Sequence, residues 1–181
     1  MSTTPKRSSE IPVLESVRLR LRPHSEADFE ACSALWSDPV VVRHTTGRPQ
    51  TSEEVWWRLL RYVGHWAVLG FGYWVIEEKL TGAFIGEIGF ADFRRTIVPS
   101  MTVPEAGWAL TTSSHGKGYA TEALQVITAW GDLHFRDGKT ACIISPENTA
   151  SVRVAEKCGY KQAATAQYHN APLLVFERQR P

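Results

Sequence analysis

The first regular pattern along the chain is a strict alternation of apolar and charged residues. In residues 17–22, Val17, Leu19 and Leu21 alternate with three arginines. A period of two places the apolar side chains on one face and the arginines on the other, which is typical of a half-buried strand. Pro23 follows this segment and ends the predicted strand.

Two polar segments that precede apolar runs predict the starts of helices. Residues 25–28 and residues 51–54 each have the form of a capping box, in which a hydroxyl and an acidic side chain satisfy free backbone amides. We expect the first helix to stop at Pro39, which cannot continue it. The second helix should fade near residues 64–70, which begin and end with glycine.

Beyond this point, apolar segments of strand length alternate with turns and two further helices. The predicted strands cover residues 71–78, 83–90, 105–110, 140–145, 160–166 and 173–178. One helix follows the loop at residues 111–118, and a shorter helix at residues 150–158 is closed by Gly159 in the position of a left-handed cap. This order predicts an α/β fold with a mixed sheet of about seven mostly antiparallel strands and helices on its faces. We expect a flexible tail at residues 1–12 and a single domain at residues 13–181.

The composition is that of an ordinary globular domain. Of the 181 residues, 43% are apolar and 22% are charged, and the formal net charge is +1. This balance gives no long-range field that would favour nucleic acid or an anionic membrane as a partner. The polar N-terminus lacks the apolar core of a signal peptide, so we expect a cytoplasmic protein, either monomeric or homodimeric.

The cysteines and histidines do not have the spacing of metal ligands or of a covalent catalyst. Cys32, Cys142 and Cys158 are widely separated, which favours reduced thiols over a disulfide or zinc framework. Cys158 lies at a predicted helix C-terminus, where the helix dipole disfavours a thiolate, and Cys142 lies in an apolar strand. No metal is expected, since no HxxxH spacing occurs among the six histidines: His24, His44, His65, His115, His134 and His169.

The loop at residues 111–118 is the segment that carries the most chemical information. Gly116 and Gly118 allow the backbone to turn its N–H groups inward, and the helix that follows adds unpaired N–H donors and a partial positive charge. Together these features predict an anion site suited to a phosphate or pyrophosphate. The loop is neither a Walker A motif, which would need glycine at Thr111, nor a dinucleotide fingerprint, which would need glycine at Thr121.

The same loop resembles the acetyl-CoA loop of the GNAT acetyltransferases. Residues 115–123 read HGKGYATEA, and residues 113–118 match the family pattern R/Q-x-x-G-x-G/A except at the first position, which is serine. Three other blocks, residues 14–23, 84–90 and 147–160, resemble the branch that contains the ribosomal-protein N-terminal acetyltransferases. The resemblance spans about residues 13–178. It implies acetyl-CoA as a co-substrate and two central strands that splay apart to admit it.

The resemblance also implies a set of cofactor-binding residues. The backbone of Trp108, Ala109 and Leu110 would pair with the pantetheine arm, and Asn148 would contact the same arm, although asparagine there is equally suited to cap a helix. The expected contacts around the pyrophosphate come from the loop and the start of its helix: His115, Gly116, Lys117, Gly118, Tyr119, Ala120 and Thr121. Lys117 is alternatively a solvated loop residue.

The catalytic roles follow from the resemblance with alternatives left open. Ser151 would protonate the departing thiolate, or would only help to cap its helix. Glu105 and Glu87 are the candidate general bases, acting directly or through water, and each is alternatively a structural strand carboxylate. Freeing an α-amine at pH 7 costs about 1–1.4 kcal/mol, against about 4.6 kcal/mol for a lysine amine. A site without an obvious base therefore suits an α-amine acceptor.

The acceptor pocket is expected between the first two helices and the last hairpin, with Arg43, His44, Trp56 and Tyr168 lining it. Trp56 and its neighbour Trp57 are alternatively core residues. Three functions remain open from the sequence. The protein transfers acetyl groups to the primary amine of a protein N-terminus, or to a small molecule such as an antibiotic, polyamine or amino acid, or it binds acetyl-CoA without turnover.

Overall fold

A computed structural model describes residues 10–98, 100–168 and 171–181. The predicted tail therefore lies outside the described residues up to residue 9, and so does His169. Packing against the core begins at Ile11, and the carbonyl of Pro12 accepts a hydrogen bond of 2.8 Å from the indole of Trp74. The contacts of the domain thus begin slightly before residue 13.

The described chain contains one eight-stranded sheet in the order β1-β2-β3-β4-β5-β6-β8-β7. Its strands are β1 (Leu14–Glu15), β2 (Leu19–Arg22), β3 (Tyr73–Glu78), β4 (Phe84–Ala91), β5 (Glu105–Leu110), β6 (Lys139–Ile144), β7 (Lys161–Tyr168) and β8 (Ala171–Gln179). Every neighbouring pair is antiparallel except β5 and β6. The mixed, mostly antiparallel sheet is confirmed, with β1 added because two residues are too short for a sequence pattern.

Within the described residues, five α-helices join these strands. They are α1 (Phe29–Ser37), α2 (Pro39–Val42), α3 (Ser52–Leu69), α4 (Tyr119–His134) and α5 (Thr149–Lys157). Pro39 does not simply end a helix, because it occupies the first turn of α2, where its missing N–H costs nothing. The capping box of Thr51 and Glu54 is present, and α3 ends within the predicted range, with Gly70 as its left-handed cap at a φ of 77°.

The helices pack on both faces of the sheet. Leu110 belongs to the large core cluster with Leu124 and Ile127 of α4, whereas Ala109 belongs to a second cluster with Cys32 and other residues of α1. Successive strand residues point to opposite faces, so the two clusters lie on opposite sides of the sheet. Across the described residues, no helix combines the length and apolar character needed to span a membrane.

The parallel neighbours β5 and β6 separate almost as soon as they meet. Their register contains the single pair Glu105 and Ala141, supported by a 3.0 Å hydrogen bond from the Ala141 amide to the carbonyl of Pro104. Beyond this point the backbone of Trp108 to Leu110 has no ladder partner on the β6 side among the described residues. The predicted splay is thus present, and it leaves a gap in the middle of the sheet.

The pairing of β3 with β4 leaves no room for a side chain at Gly89, which lies opposite Tyr73. A Cβ at Gly89 would lie 2.3 Å from the Cα of Tyr73 and 2.4 Å from the carbonyl of Gly72. We expect Gly89→Ala to lower the free energy of unfolding by about 1–3 kcal/mol, because backbone atoms would have to move. Urea unfolding monitored by tryptophan fluorescence measures the change.

Gly64→Ala is the matched control for this substitution. Nothing outside its helix lies within 4 Å of a Cβ at Gly64. Alanine in a helix interior is favoured over glycine by about 0.5–1 kcal/mol, so this variant should be more stable than the parent chain. Equal effects of the two substitutions would contradict the close approach of β3 and β4.

Candidate acetyl-CoA and acceptor site

The loop between β5 and α4 has the conformation that its glycines predict. Gly116 and Gly118 have φ values of 75° and 81°, a region that disfavours side chains, and α4 begins directly afterwards at Tyr119. Thr112 of this loop contacts a residue outside it, since its hydroxyl donates a hydrogen bond of 2.6 Å to Asp38. This contact ties the start of the loop to the end of α1.

The amides of this loop are free to bind an anion. Within the described part of the chain, the N–H groups of residues 116–121 donate to no backbone or side-chain acceptor, while the next amide, that of Glu122, bonds to the carbonyl of Gly118. Free donors at the start of a sixteen-residue helix form an anion site with the helix dipole behind them.

A cavity of about 510 Å³ lies against these amides. Its walls come from β5, the loop, the start of α4 and one face of α5. The expected cofactor residues that line it are Trp108, Ala109, Leu110, His115, Gly116, Gly118, Tyr119, Ala120, Thr121, Asn148 and Ser151. The structure thus brings together all but one of the residues that the sequence assigned to the cofactor.

The exception is Lys117, which is exposed and does not line the cavity. Its carbonyl accepts a 3.0 Å hydrogen bond from Arg18 instead. The cations that do line the cavity are Arg43, Arg153 and Lys157. Arg43 was expected in the acceptor pocket. Arg153 and Lys157 were missed, although their spacing of four places them on one face of α5.

The start of α5 forms the boundary between two cavities. Asn148 is the N-cap, and its side-chain oxygen accepts a 3.1 Å hydrogen bond from the amide of Ser151. A second cavity of about 350 Å³ lies on the other side of this helix start. Six residues line both cavities: His44, Thr45, Trp108, Ala109, Asn148 and Ser151. The two cavities therefore meet at the gap between β5 and β6.

Two of the expected acceptor residues, His44 and Tyr168, line the second cavity. Trp56 does not, because it lies on the outer surface, 37% exposed, with its ring edge-on to Phe29 at 5.6 Å. Trp57 is 61% exposed. Neither tryptophan packs in the core or lines the second cavity. The structure therefore differs from the expected pocket role and from the alternative core role.

The two candidate bases have different surroundings. Glu105 is buried but lines the second cavity, and both of its carboxylate oxygens accept from Arg95, at 2.8 and 3.1 Å. Glu87 lines neither cavity and is 1% exposed. Only Glu105 has a side chain facing the space where an acceptor would lie.

Glu87 is the centre of a buried hydrogen-bonded cluster. Its oxygens lie 3.1 Å from Nε2 of His24, 3.0 Å from the thiol of Cys32, 2.7 Å from the indole nitrogen of Trp36 and 3.4 Å from the hydroxyl of Tyr62. Burial alone would raise the pKa of Glu87, but the hydrogen bonds and the charge of His24 outweigh it and lower the pKa. This carboxylate is held in its ionised form as a structural acceptor.

The three cysteine thiols are buried and are held in the protonated form. Burial raises the pKa of Cys158 to about 11, and it raises the pKa values of Cys32 and Cys142 further still. Cys32 also belongs to a group that could meet at one metal ion, since the ligand atoms of His24, Cys32 and Glu87 lie within 4.8 Å of one another. The absence of a metal therefore stays a prediction.

A splayed mixed sheet with free amides at the head of α4 defines an acyl-CoA-binding fold, and comparison with known proteins places the chain in a family. Residues 18–161 match the family model of the acetyltransferase (GNAT) domain. The chain therefore belongs to the GNAT acetyltransferases. The relative YkkB of Bacillus subtilis, an uncharacterised protein, is 34% identical over 165 residues, which cover 89% of this chain and 92% of YkkB.

Solved structures share the fold. A GnaT-family acetyltransferase from Bordetella pertussis superposes with a TM-score of 0.82 and 29% identity, covering 93% of this chain and 99% of its own. The ribosomal L7/L12 α-N-protein acetyltransferase RimL, in complex with coenzyme A, has a TM-score of 0.73 and 17% identity over 93% of this chain and 98% of RimL. AAC(6')-Ib, in complex with paromomycin and acetyl-CoA, has a TM-score of 0.72 and 18% identity, and the match covers 90% of this chain and 94% of AAC(6')-Ib. At this distance the last two show the fold alone.

Removing the carboxylate of Glu87 tests its structural role. Glu87→Leu leaves the buried donors of Trp36 and Tyr62 without an acceptor, so the free energy of unfolding should fall by about 3–5 kcal/mol. Urea unfolding measures the loss, and Glu15→Leu, at a side chain that is 56% exposed, is the control that should change little. The milder Glu87→Gln keeps an acceptor oxygen. A folded Gln variant without turnover would assign Glu87 a chemical role instead.

Proposed function

We propose that this protein transfers the acetyl group of acetyl-CoA to a primary amine by direct attack, without an acyl-enzyme. The observation that carries the proposal is the meeting of two cavities at the gap between β5 and β6. One cavity presents the free amides of residues 116–121, and the other reaches Glu105 from the opposite side. A thioester in the first cavity would face an amine in the second.

The first cavity suits coenzyme A in both charge and shape. The amides at the head of α4 would hold the pyrophosphate, and Arg153 and Lys157 would add positive charge beside it. The unpaired backbone of Trp108 to Leu110 offers a strand edge to the amides of the pantetheine arm. A cofactor bound in this way would have its sulfur near Ser151, which lines both cavities.

The chemical step needs one attack and two proton movements. The amine nitrogen forms a bond to the acetyl carbon, and the bond from that carbon to sulfur breaks. The hydroxyl of Ser151 gives its proton to the departing thiolate, with the N-terminal end of α5 stabilising the negative charge. The excess proton on nitrogen passes to water, directly or beside Glu105, and a proton from that water restores the hydroxyl of Ser151.

A protein N-terminus is the acceptor class that this arrangement favours. Both oxygens of Glu105 are already engaged by Arg95, so among the described residues the second cavity has no unengaged carboxylate to deprotonate a strongly basic amine. An α-amine needs the least help, since part of it is neutral near pH 7. A small-molecule amine of similarly low basicity is the alternative acceptor.

Thiol release from acetyl-CoA tests the proposed function. Two matched peptides serve as acceptors: one has a free N-terminus and no lysine, and the other has a blocked N-terminus and one lysine. We expect faster release with the free N-terminus at pH 7, and mass spectrometry should show one added acetyl group. Faster acetylation of the lysine peptide would contradict the acceptor class. Release with no primary amine at all would contradict the proposed function.

The role of Ser151 is tested by Ser151→Ala. General acid catalysis contributes about 10²–10⁴-fold, so kcat should fall by at least about 100-fold while the Kd for coenzyme A changes little. Ser113→Ala is the control, because Ser113 is an exposed serine of the same loop that lines neither cavity. An unchanged kcat in Ser151→Ala would remove this hydroxyl from the mechanism.

A further inference from the structure

Three arginines line the second cavity, which is the acceptor cavity of the proposed function. The sequence pattern indicated none of them. Arg58 and Arg61 lie three positions apart on α3 and therefore share one face of the helix. Arg95 reaches the same cavity from the segment between β4 and β5. The only carboxylate that lines the cavity, within the described part of the chain, is Glu105.

The charge of Glu105 is taken up by one of the three arginines. Arg95 binds it with two hydrogen bonds in a fork, at 2.8 and 3.1 Å. Glu87 lies behind the wall and is occupied by His24 and three further donors. Even when Glu87 is counted, the cavity and its wall hold three arginines against two carboxylates.

Arg58 has no carboxylate partner among the described residues. Its hydrogen bonds go to neutral oxygens, the hydroxyl of Tyr62 at 3.3 Å and the side-chain oxygen of Gln50 at 3.4 Å. The guanidinium lies 3.6 Å above the ring of Trp36. Stacking on an aromatic ring and two long hydrogen bonds hold the group in place without neutralising it.

Arg61 is exposed and likewise has no ion-pair partner in the described chain. Its guanidinium lies 5.4 Å from the centre of the Phe93 ring, and that of Arg95 lies 4.6 Å from the same ring. Partial desolvation by the surrounding cavity wall and then the nearby charge of Arg58 lower the pKa of Arg61, although arginine remains protonated at neutral pH. The rings of Trp36 and Phe93 thus hold two guanidinium groups for which the described residues provide no ion-pair partner.

We propose that the acceptor cavity binds a carboxylate through Arg58 and Arg61, so that the amine acceptor is one that also carries a carboxylate. This inference rests on the proposed function and narrows its substrate. Arginine pairs with carboxylate in a planar, two-bond geometry, which gives direction as well as attraction. A polycationic amine would instead place like charges together, which costs affinity.

The carboxylate has two possible sources, which the acceptors in the test must separate. It is either the α-carboxylate of a free amino acid or the side chain of an acidic residue at a peptide N-terminus. The first comparison uses free amino acids against their amides at equal concentrations of unprotonated amine. The second uses peptide amides beginning with Asp or Glu against the same peptides beginning with Asn or Gln. Spermidine provides a polycationic acceptor.

We expect kcat/KM to be at least about 10-fold higher for the carboxylate member in one of these two comparisons, and lowest for spermidine. The comparison in which the preference appears identifies the source. If acetyl transfer occurs but the amide members or spermidine react as well or better, the carboxylate proposal is overturned while the acetyltransferase function stands. If no amine is acetylated, both fail.

Variants at Arg61 test the cavity directly. Arg61→Met should raise KM for the preferred acceptor about 10-fold, with kcat and the Kd for coenzyme A little changed, and Arg61→Lys should restore part of the affinity. Arg20→Met is the matched control, since Arg20 is an exposed arginine of β2 outside both cavities. An unchanged KM in Arg61→Met, or an equal rise in Arg20→Met, would overturn the role of this arginine.

Discussion

The separation of β5 from β6 is the constraint on which the rest of the molecule depends. A parallel pair that held its register along its full length would close the sheet and leave no edge for a ligand. Here the pairing stops at Glu105 and Ala141. The backbone groups left without a strand partner are free to pair with a ligand, and under the proposed function the amides of a pantetheine arm would pair with them. The gap also connects the two cavities, so a single departure from regular pairing creates both the cofactor edge and the route to the acceptor.

The loop that holds the anion could be predicted from sequence because its determinants are local. Gly116 and Gly118 are needed for backbone angles that other residues resist, and the start of α4 follows within the same segment. Alternation and capping signals likewise identified most strands and helices. Pro39 was misjudged because proline suits both the end of one helix and the first turn of the next, and only tertiary packing decides between them.

The walls of the acceptor cavity could not be predicted in the same way. The direction in which a side chain on α3 faces depends on how the helix lies across the sheet, and that placement leaves Trp56 outside while Arg58 faces the cavity. The surroundings of a buried side chain likewise depend on tertiary placement. Glu87 and Glu105 are both buried carboxylates on central strands, yet Glu87 is enclosed by His24 and three other donors while Glu105, bound by Arg95, lines the second cavity.

Some residues line both cavities and others line only one, and this difference affects how acceptor preference can change in evolution. Residues such as Asn148 and Ser151 line both cavities, so under the proposed function a change there would alter donor and acceptor binding together. Arg61 and Phe93, by contrast, line only the acceptor side. New acceptor preferences can therefore arise by replacing residues on α3 and in the segment before β5, with the donor half left intact.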